Sequence, residues 1–131
     1  MSFNFKEALE ELEYSKTCKK KAEDFLKLVI ESLKAESIFY SDIENLCFTL
    51  LHPRHTSSYI ITVSYLKKGK ITDTERDSIC KMKIANEDEA NEIFLYIIRI
   101  LWGQGFQYKD MSEKLNKLNP DYIKVFNILI H

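Results

Sequence analysis

The stretch Tyr59-Ile60-Ile61-Thr62-Val63-Ser64-Tyr65 decides the fold class, because its side chains alternate with a period of two. Its odd-numbered positions are aromatic or β-branched, and the positions between them include a threonine and a serine. Residues of this kind, alternating in this way, are typical of a strand with one face packed on a core. The centre of the chain is therefore predicted to be β-structure.

Two more strands are predicted beside this one. The run Leu46–Leu51 is short and apolar, and it stops at His52-Pro53. After the central strand, the segment 67–70 contains Gly69 and is typical of a turn. Residues Ser78–Ile84 then alternate again, while 71–77 fit either the start of that strand or a polar loop. Three strands with short links predict an antiparallel meander.

Helical patterns surround the meander. Apolar residues spaced by three or four between Ala8 and Leu33 predict one helix over 3–35, or a hairpin of helices over 3–14 and 16–35. Asn86 with Glu89 forms a capping pattern before a very apolar helix that ends at Gly103.

Two further helix-start signals follow. Asp110 with Glu113 predicts a short helix, and Asn119-Pro120 predicts another that runs through Ile130. The sequence therefore predicts an α+β fold: an N-terminal helix or helical hairpin, a three-stranded antiparallel meander, then two to three C-terminal helices packed on the sheet.

Length and charge limit the class of protein. The 131 residues carry 19 basic and 20 acidic side chains, so the net charge is −1. This predicts a single domain over 1–131, and argues against a strongly basic coat for nucleic acid. Lysine outnumbers arginine 16 to 3, which indicates an A/T-rich genome such as that of a low-GC bacterium or its phage.

The same composition predicts a cytoplasmic protein. Three cysteines without close pairing are typical of reduced thiols rather than a disulfide framework. The first residues lack the apolar core of a signal peptide. The longest apolar run, Ile93–Trp102, is too short to span a membrane.

Catalytic and metal-binding patterns are weak. The spacing in His52-Pro53-Arg54-His55 matches no zinc pattern. The alternating acids Asp73, Glu75 and Asp77 suit either a magnesium-dependent hydrolase or a charged edge strand, and we favour the edge strand. Three glycines form no phosphate-binding loop. We therefore expect a protein that is not an enzyme and has no cofactor and no metal.

One segment resembles a known family. Pro53-Arg54-His55-Thr56-Ser57-Ser58-Tyr59, followed by Ile61 and Val63, resembles the double-stranded RNA-binding domain, where Gly-Pro-x-His precedes an aromatic residue and an alternating strand. The order helix, three strands, helix over residues 16–102 is also similar. His52 replaces the family's glycine, and Glu87 and neighbouring acids stand where that family has phosphate-binding lysines. The resemblance implies this topology, with the RNA surface lost or reassigned to protein contacts.

The leading functional hypothesis is a small non-enzymatic protein–protein interaction module. Phage and mobile-element proteins that serve as inhibitors, immunity proteins or adaptors have this size and composition. The partner is expected to be another protein or, in a homodimer, a second copy bound through the C-terminal helix. The predicted contact residues are aromatic or apolar and lie late in the chain: Phe106, Tyr108, Tyr122, Phe126 and Ile130.

The alternative hypothesis is nucleic-acid binding around the predicted hairpin. Its lysines would contact phosphates, and Tyr59 or Tyr65 would stack on bases. The residues that this hypothesis assigns are Lys67, Lys68, Lys70, Lys81 and Lys83.

Overall fold

The protein forms a five-stranded antiparallel sheet with two long helices on one face, as seen in a computed structural model that describes residues 4–69 and 76–130. The strands follow the spatial order β3-β2-β1-β5-β4. In chain order the elements are α1 (Phe5–Ala35), a 3₁₀ turn (Tyr40–Asp42), β1 (Ile43–Leu51), β2 (Tyr59–Lys67), β3 (Asp77–Ile84), α2 (Glu87–Gly103), β4 (Gln107–Asp110), α3 (Ser112–Leu118) and β5 (Tyr122–Leu129).

The predicted meander is confirmed. Strands β1 and β2 pair antiparallel, with Phe48 opposite Val63, and β2 pairs with β3, with Ile61 opposite Met82. Gly69 follows β2 with a φ of +85°, a conformation that residues with a Cβ rarely adopt. The apolar run before His52 and the two alternating stretches therefore identified three of the five strands and their order.

The core lies between this sheet and the two long helices. Helix α1 contributes Cys18, Ala22, Phe25, Val29 and Leu33, which are spaced by three or four residues and so share one face. Helix α2 begins after Asn86, whose Oδ1 accepts a hydrogen bond from the Glu89 amide at 3.0 Å. Its buried side chains are Ala90, Ile93, Phe94, Ile97 and Ile98.

The N-terminal segment forms one helix, which settles the choice between a helix and a hairpin. Helix α1 runs without interruption for 31 residues from Phe5. Asn4 caps it by accepting a hydrogen bond from the Glu7 amide at 3.2 Å. Ser15, where the second helix of a hairpin would begin, lies inside α1, and its hydroxyl shares a hydrogen bond with the Tyr96 hydroxyl of α2.

The predicted helix over residues 119–130 is wrong. This segment forms strand β5, which inserts between β1 and β4 and pairs with both. Asn119 and Pro120 lead into a turn instead of starting a helix, and the Asn119 Oδ1 accepts a hydrogen bond from the Asp121 amide at 3.0 Å. The residues that follow are mostly β-branched or aromatic, which favours a strand.

The structure also has a strand between α2 and α3 that the sequence did not predict. Residues Gln107–Asp110 form β4 at the sheet edge, paired with β5. Only the short helix α3 matches the helices predicted after α2. The α+β class is confirmed, but the sheet has five strands. Of the predicted contact residues, Tyr108, Tyr122 and Phe126 lie on strands instead of a C-terminal helix, and Phe106 and Ile130 lie just outside β4 and β5.

Candidate functional site

An open apolar groove lies on the helical side of the sheet, between α1, α2 and β5. It encloses about 360 Å³. Its floor is formed by Leu46 and Phe48 of β1 and Ile128 of β5. Its walls and rim are mostly apolar, with one tyrosine and one glutamine: Leu26, Val29, Ile30, Tyr40, Ile100, Leu101, Gln104, Phe106 and Ile130. Such a concave apolar surface can bind apolar side chains of a ligand.

The local sequence explains how the groove stays open. On α1, Leu26 and Ile30 lie one position after the core residues Phe25 and Val29, so they are turned about 100° away from the core face. Ile30 is consequently 41% exposed. Helix α2 ends at Gly103, and the Phe106 amide returns to donate to the Leu101 carbonyl at 3.1 Å. This turn places the Phe106 side chain at the rim.

Four of the five predicted contact residues lie close together. Phe106 and Ile130 line the groove. Tyr108 and Phe126 form an aromatic pair beside it, with ring centroids 5.1 Å apart, and Phe126 also contacts Phe94 of α2 at 5.6 Å. Tyr122 is separate, because it lines a cleft on the opposite face of the sheet.

The start of α1 is an apolar surface that sequence reasoning missed. Phe5, Leu9 and Leu12 are 66%, 47% and 57% exposed, and the first buried residue of the helix is Cys18. Leu12 belongs to the apolar spacing between Ala8 and Leu33, but it lies outside the buried part of that helix face. The spacing identified the helix correctly, but it does not show where the helix extends past the sheet.

The lysines of the nucleic-acid hypothesis lie in two places. Lys67 and Lys68 are exposed where β2 ends. Lys81 and Lys83 are exposed on β3, opposite Thr62 and Ile60 of β2, respectively. Lys81 is thus opposite Thr62, which lies five residues before Lys67 on β2. Lys81 and Lys67 are therefore about 17 Å apart along the strand direction. Lys70 lies outside the described residues.

Neither tyrosine of that hypothesis is an open stacking platform. Tyr65 is buried. Tyr59 stacks on His52 with ring centroids 4.2 Å apart, and its hydroxyl donates to the Glu87 carboxylate at 3.4 Å. Burial, followed by the Glu87 charge, raises the pKa of Tyr59.

The loop between β1 and β2, which contains His52-Pro53-Arg54-His55, is held by contacts within the protein. The His52 Nε2 lies 3.1 Å from the Thr56 carbonyl oxygen. Arg54 forms an ion pair with Asp121 at 3.5 Å, which ties the loop to the turn before β5. His55 adopts a φ of +65°.

Metal ligands and nucleophiles are not grouped in the part of the chain that the structure describes. Asp73 and Glu75 lie outside that part, and Asp77 is an exposed residue at the start of β3. Among the described residues, no three His, Cys, Asp or Glu side chains are close enough to share a metal ion. Burial raises the pKa of the Cys18 thiol, and it raises that of Cys80 to about 11. Both thiols are therefore protonated at neutral pH.

Comparison of the chain with protein-family models, with curated proteins and with solved structures yields no match. None of the helices that the structure describes combines the length and the hydropathy needed to cross a membrane. The geometry of the groove and of the α1 start is therefore the basis for a functional proposal.

Proposed function

We propose that the protein is a non-enzymatic protein-binding module whose apolar groove receives a helix, and that this helix is the start of α1 from a second copy of the chain. The observation that supports this proposal most directly is the open apolar groove between α1, α2 and β5. A role of this kind is shared by small inhibitors and adaptors, which act by occupying a surface.

The groove is suited to a helix rather than to an extended peptide. Its floor strands already have partners on both sides, because β1 lies between β2 and β5, and β5 lies between β1 and β4. Its walls are two helices, whose backbone groups bond internally apart from the ends. An extended peptide would find few main-chain partners there, whereas a helix satisfies its own backbone and needs only side-chain contacts.

The chain carries a helical segment with the required pattern. Phe5, Leu9 and Leu12 are exposed and spaced i, i+4 and i+7, which is the spacing of anchors in helix-in-groove recognition. We call these three residues the α1 stripe. Exposed apolar residues grouped in this way are typical of interaction sites.

The stripe must bind in another molecule, because it cannot reach the groove of its own chain. Leu12 and the groove residue Leu26 belong to the same unbroken helix, about 21 Å apart along its axis. If each of two copies places its stripe in the partner's groove, the assembly has two equal contacts and closes as a symmetric dimer.

The test measures oligomeric state by sedimentation equilibrium from micromolar to millimolar concentrations. We expect the wild type to dimerise. Leu12→Glu in the stripe and Ile30→Glu in the groove should each weaken dimerisation by about tenfold or more, because each places a charge in an apolar contact. Leu28→Glu is the matched control, since Leu28 is 44% exposed on the same helix but lines neither surface.

Mixing the two variants provides a second criterion. A Leu12→Glu chain retains its groove, and an Ile30→Glu chain retains its stripe, so one intact contact can form between them. The mixture should therefore form heterodimers more readily than either variant forms homodimers. A wild type that stays monomeric at millimolar concentration, or a dimer unaffected by both substitutions, would contradict the proposal.

A further inference from the structure

Helix α1 has a largely exposed face beside the face that packs on the core. Its residues follow one another at alternating intervals of four and three, which is the seven-residue repeat of helices that pair lengthwise. At 100° per residue, this face lies about 110° around the helix from the buried residues of α1. We call it the α1 seam, and it runs from the stripe to the groove: Phe5, Leu9, Leu12, Lys16, Lys19, Glu23, Leu26 and Ile30.

The middle of the seam is charged, whereas both of its ends are apolar. Lys16, Lys19 and Glu23 are all exposed. The Lys16 Nζ lies 3.9 Å from the Glu13 Oε1 of the same helix. Neither Lys19 nor Glu23 forms an ion pair or a side-chain hydrogen bond within the described part of the chain. One cation and one anion of the seam are therefore available to a partner molecule.

The proposed dimer places the seams of two copies against each other. The stripe lies near the start of α1 and the groove wall near its end, so an exchange of stripes sets the two helices side by side and antiparallel. The seven-residue repeat then allows two registers that bring a stripe residue to a groove residue of α1. The first register faces Leu9 with Leu26, and the second faces Leu12 with Ile30.

The charges in the middle of the seam distinguish these two registers. The first register faces Lys16 with Lys19 at the two-fold axis, so four ammonium groups from the two copies repel one another. The second register faces Lys19 with Glu23, and the symmetry repeats this contact, so two ion pairs form across the axis. It also lays the aliphatic stem of Lys16 on Leu26 while the ammonium group stays in water. A polar residue within such a repeat specifies the register of the pair.

We propose that two copies of the chain pair through the α1 seam in the second register, with Lys19 of each copy bound to Glu23 of the other. The inference rests on the proposed dimer, and it adds the two residues that determine the register and the choice of partner. Apolar contacts supply most of the affinity, whereas the ion pairs exclude helices whose charges do not match. A second copy matches, because each chain carries both the cation and the anion at equal distances from the axis.

The test titrates a dilute, isotope-labelled Glu23→Lys chain with three unlabelled full-length chains and follows the amides of α1 by NMR. With Lys19→Glu as the partner, both contacts across the axis join opposite charges. With the wild type, one contact is attractive and one is repulsive, and with unlabelled Glu23→Lys both are repulsive. We expect the affinity to fall in that order by about fivefold at each step, after correction for the self-association of each partner by sedimentation.

Labelled Asp24→Lys is the matched control. It undergoes the same change of charge as Glu23→Lys at the next position, which is turned about 100° from the seam. It should bind the wild type as tightly as labelled wild type does. It should bind Lys19→Glu about fivefold more weakly, because that partner presents a carboxylate to Glu23. All three substituted positions are exposed, so the chains should remain folded.

The outcomes separate this register from the dimer on which it rests. If the wild type dimerises through the stripe and the groove but all three partners bind labelled Glu23→Lys equally, the dimer stands and the register is overturned. Tighter binding of Asp24→Lys to Lys19→Glu than to the wild type would also overturn it, in favour of the first register. A wild type that stays monomeric would overturn both.

Discussion

Arg76 shows how a single residue organises the sheet face that the long helices leave uncovered. It precedes β3 at the sheet edge, yet its guanidinium reaches Asn45 on β1 and Asn127 on β5. The amide of Asn45 is buried and needs a partner, and the guanidinium supplies one to it and one to the partly buried Asn127. The sequence alone did not indicate this network, because its three members are 31 and 51 positions apart in the chain.

Cys80 should make the stability of the protein depend on pH in the alkaline range. Burial raises the pKa of this thiol from its ordinary value near 9 to about 11, so the folded state favours the protonated form. Its contribution is fully present below pH 9, where the unfolded thiol is also protonated. As the pH rises from 9 to 11, mainly the unfolded thiol ionises, which lowers the free energy of unfolding by about 1–2 kcal/mol, because solvent around the partly exposed thiol reduces the effect.

The measurement is urea denaturation of the wild type and Cys80→Ala at several pH values between 8 and 11. The variant removes the thiol, so it should lose less stability over this interval than the wild type. A difference between the two proteins that stays constant from pH 8 to pH 11 would show that Cys80 does not titrate differently in the folded state.

Helix α1 is longer than the sheet on which it packs. Its 31 residues extend about 46 Å, whereas the three strands of the meander have eight or nine residues and extend about 30 Å. The core face begins at Cys18 and continues to Leu33. The first three turns therefore lack sheet beneath them, which explains why the α1 stripe is exposed.

The two Asn caps should differ in their contribution to stability. Asn86 caps α2, whose first buried residue, Ala90, follows within a turn, whereas Asn4 caps the exposed start of α1. Asn86→Ala should lower the free energy of unfolding by about 1 kcal/mol. Asn4→Ala should cause only local fraying, because the core does not depend on the first turns.

Urea denaturation at low protein concentration gives both values, and hydrogen exchange of residues 6–12 reports the fraying. Asn4→Ala should speed that exchange without changing the denaturation midpoint. Equal losses of global stability in the two variants would mean that the start of α1 folds cooperatively with the core.

The elements differ in how well the sequence predicts them. The meander and α2 are clear because alternation, capping and burial all favour the same structure. The end of the chain is ambiguous because Asn119-Pro120 favours a helix start, while Val125, Phe126 and Ile128 favour a strand. Pairing with the edge of β1 decides the outcome, and that edge exists only in the folded sheet. Among the residues that line the groove, the sequence predicted Phe106 and Ile130 as contact residues, because they are apolar and lie outside the clearest core patterns.

The whole molecule presents different chemistry on the two faces of its sheet. The helical side carries an apolar groove, and the opposite side carries a cleft with two cations and a row of hydroxyl groups. Strand β5 contributes to both, since Ile128 lines the groove and Asn127 lines the cleft. Because successive side chains of a strand point to opposite faces, one strand can line both without either blocking the other.

Removal of residues 1–12 should separate folding from assembly. The deletion takes away the whole α1 stripe but leaves Ser15 with its Tyr96 contact and every buried residue of α1. At low micromolar concentration the shortened chain should keep the melting temperature of the wild type. At higher concentration the wild-type melting temperature should rise, because dimerisation stabilises the folded state, and that of the shortened chain should not. Calorimetry over a hundredfold concentration range checks both statements, with full-length Leu12→Glu as the control for the deletion. A shortened chain that melts well below the wild type at every concentration would place the α1 start within the cooperative core. One whose melting temperature still rises with concentration would place the dimer contact elsewhere.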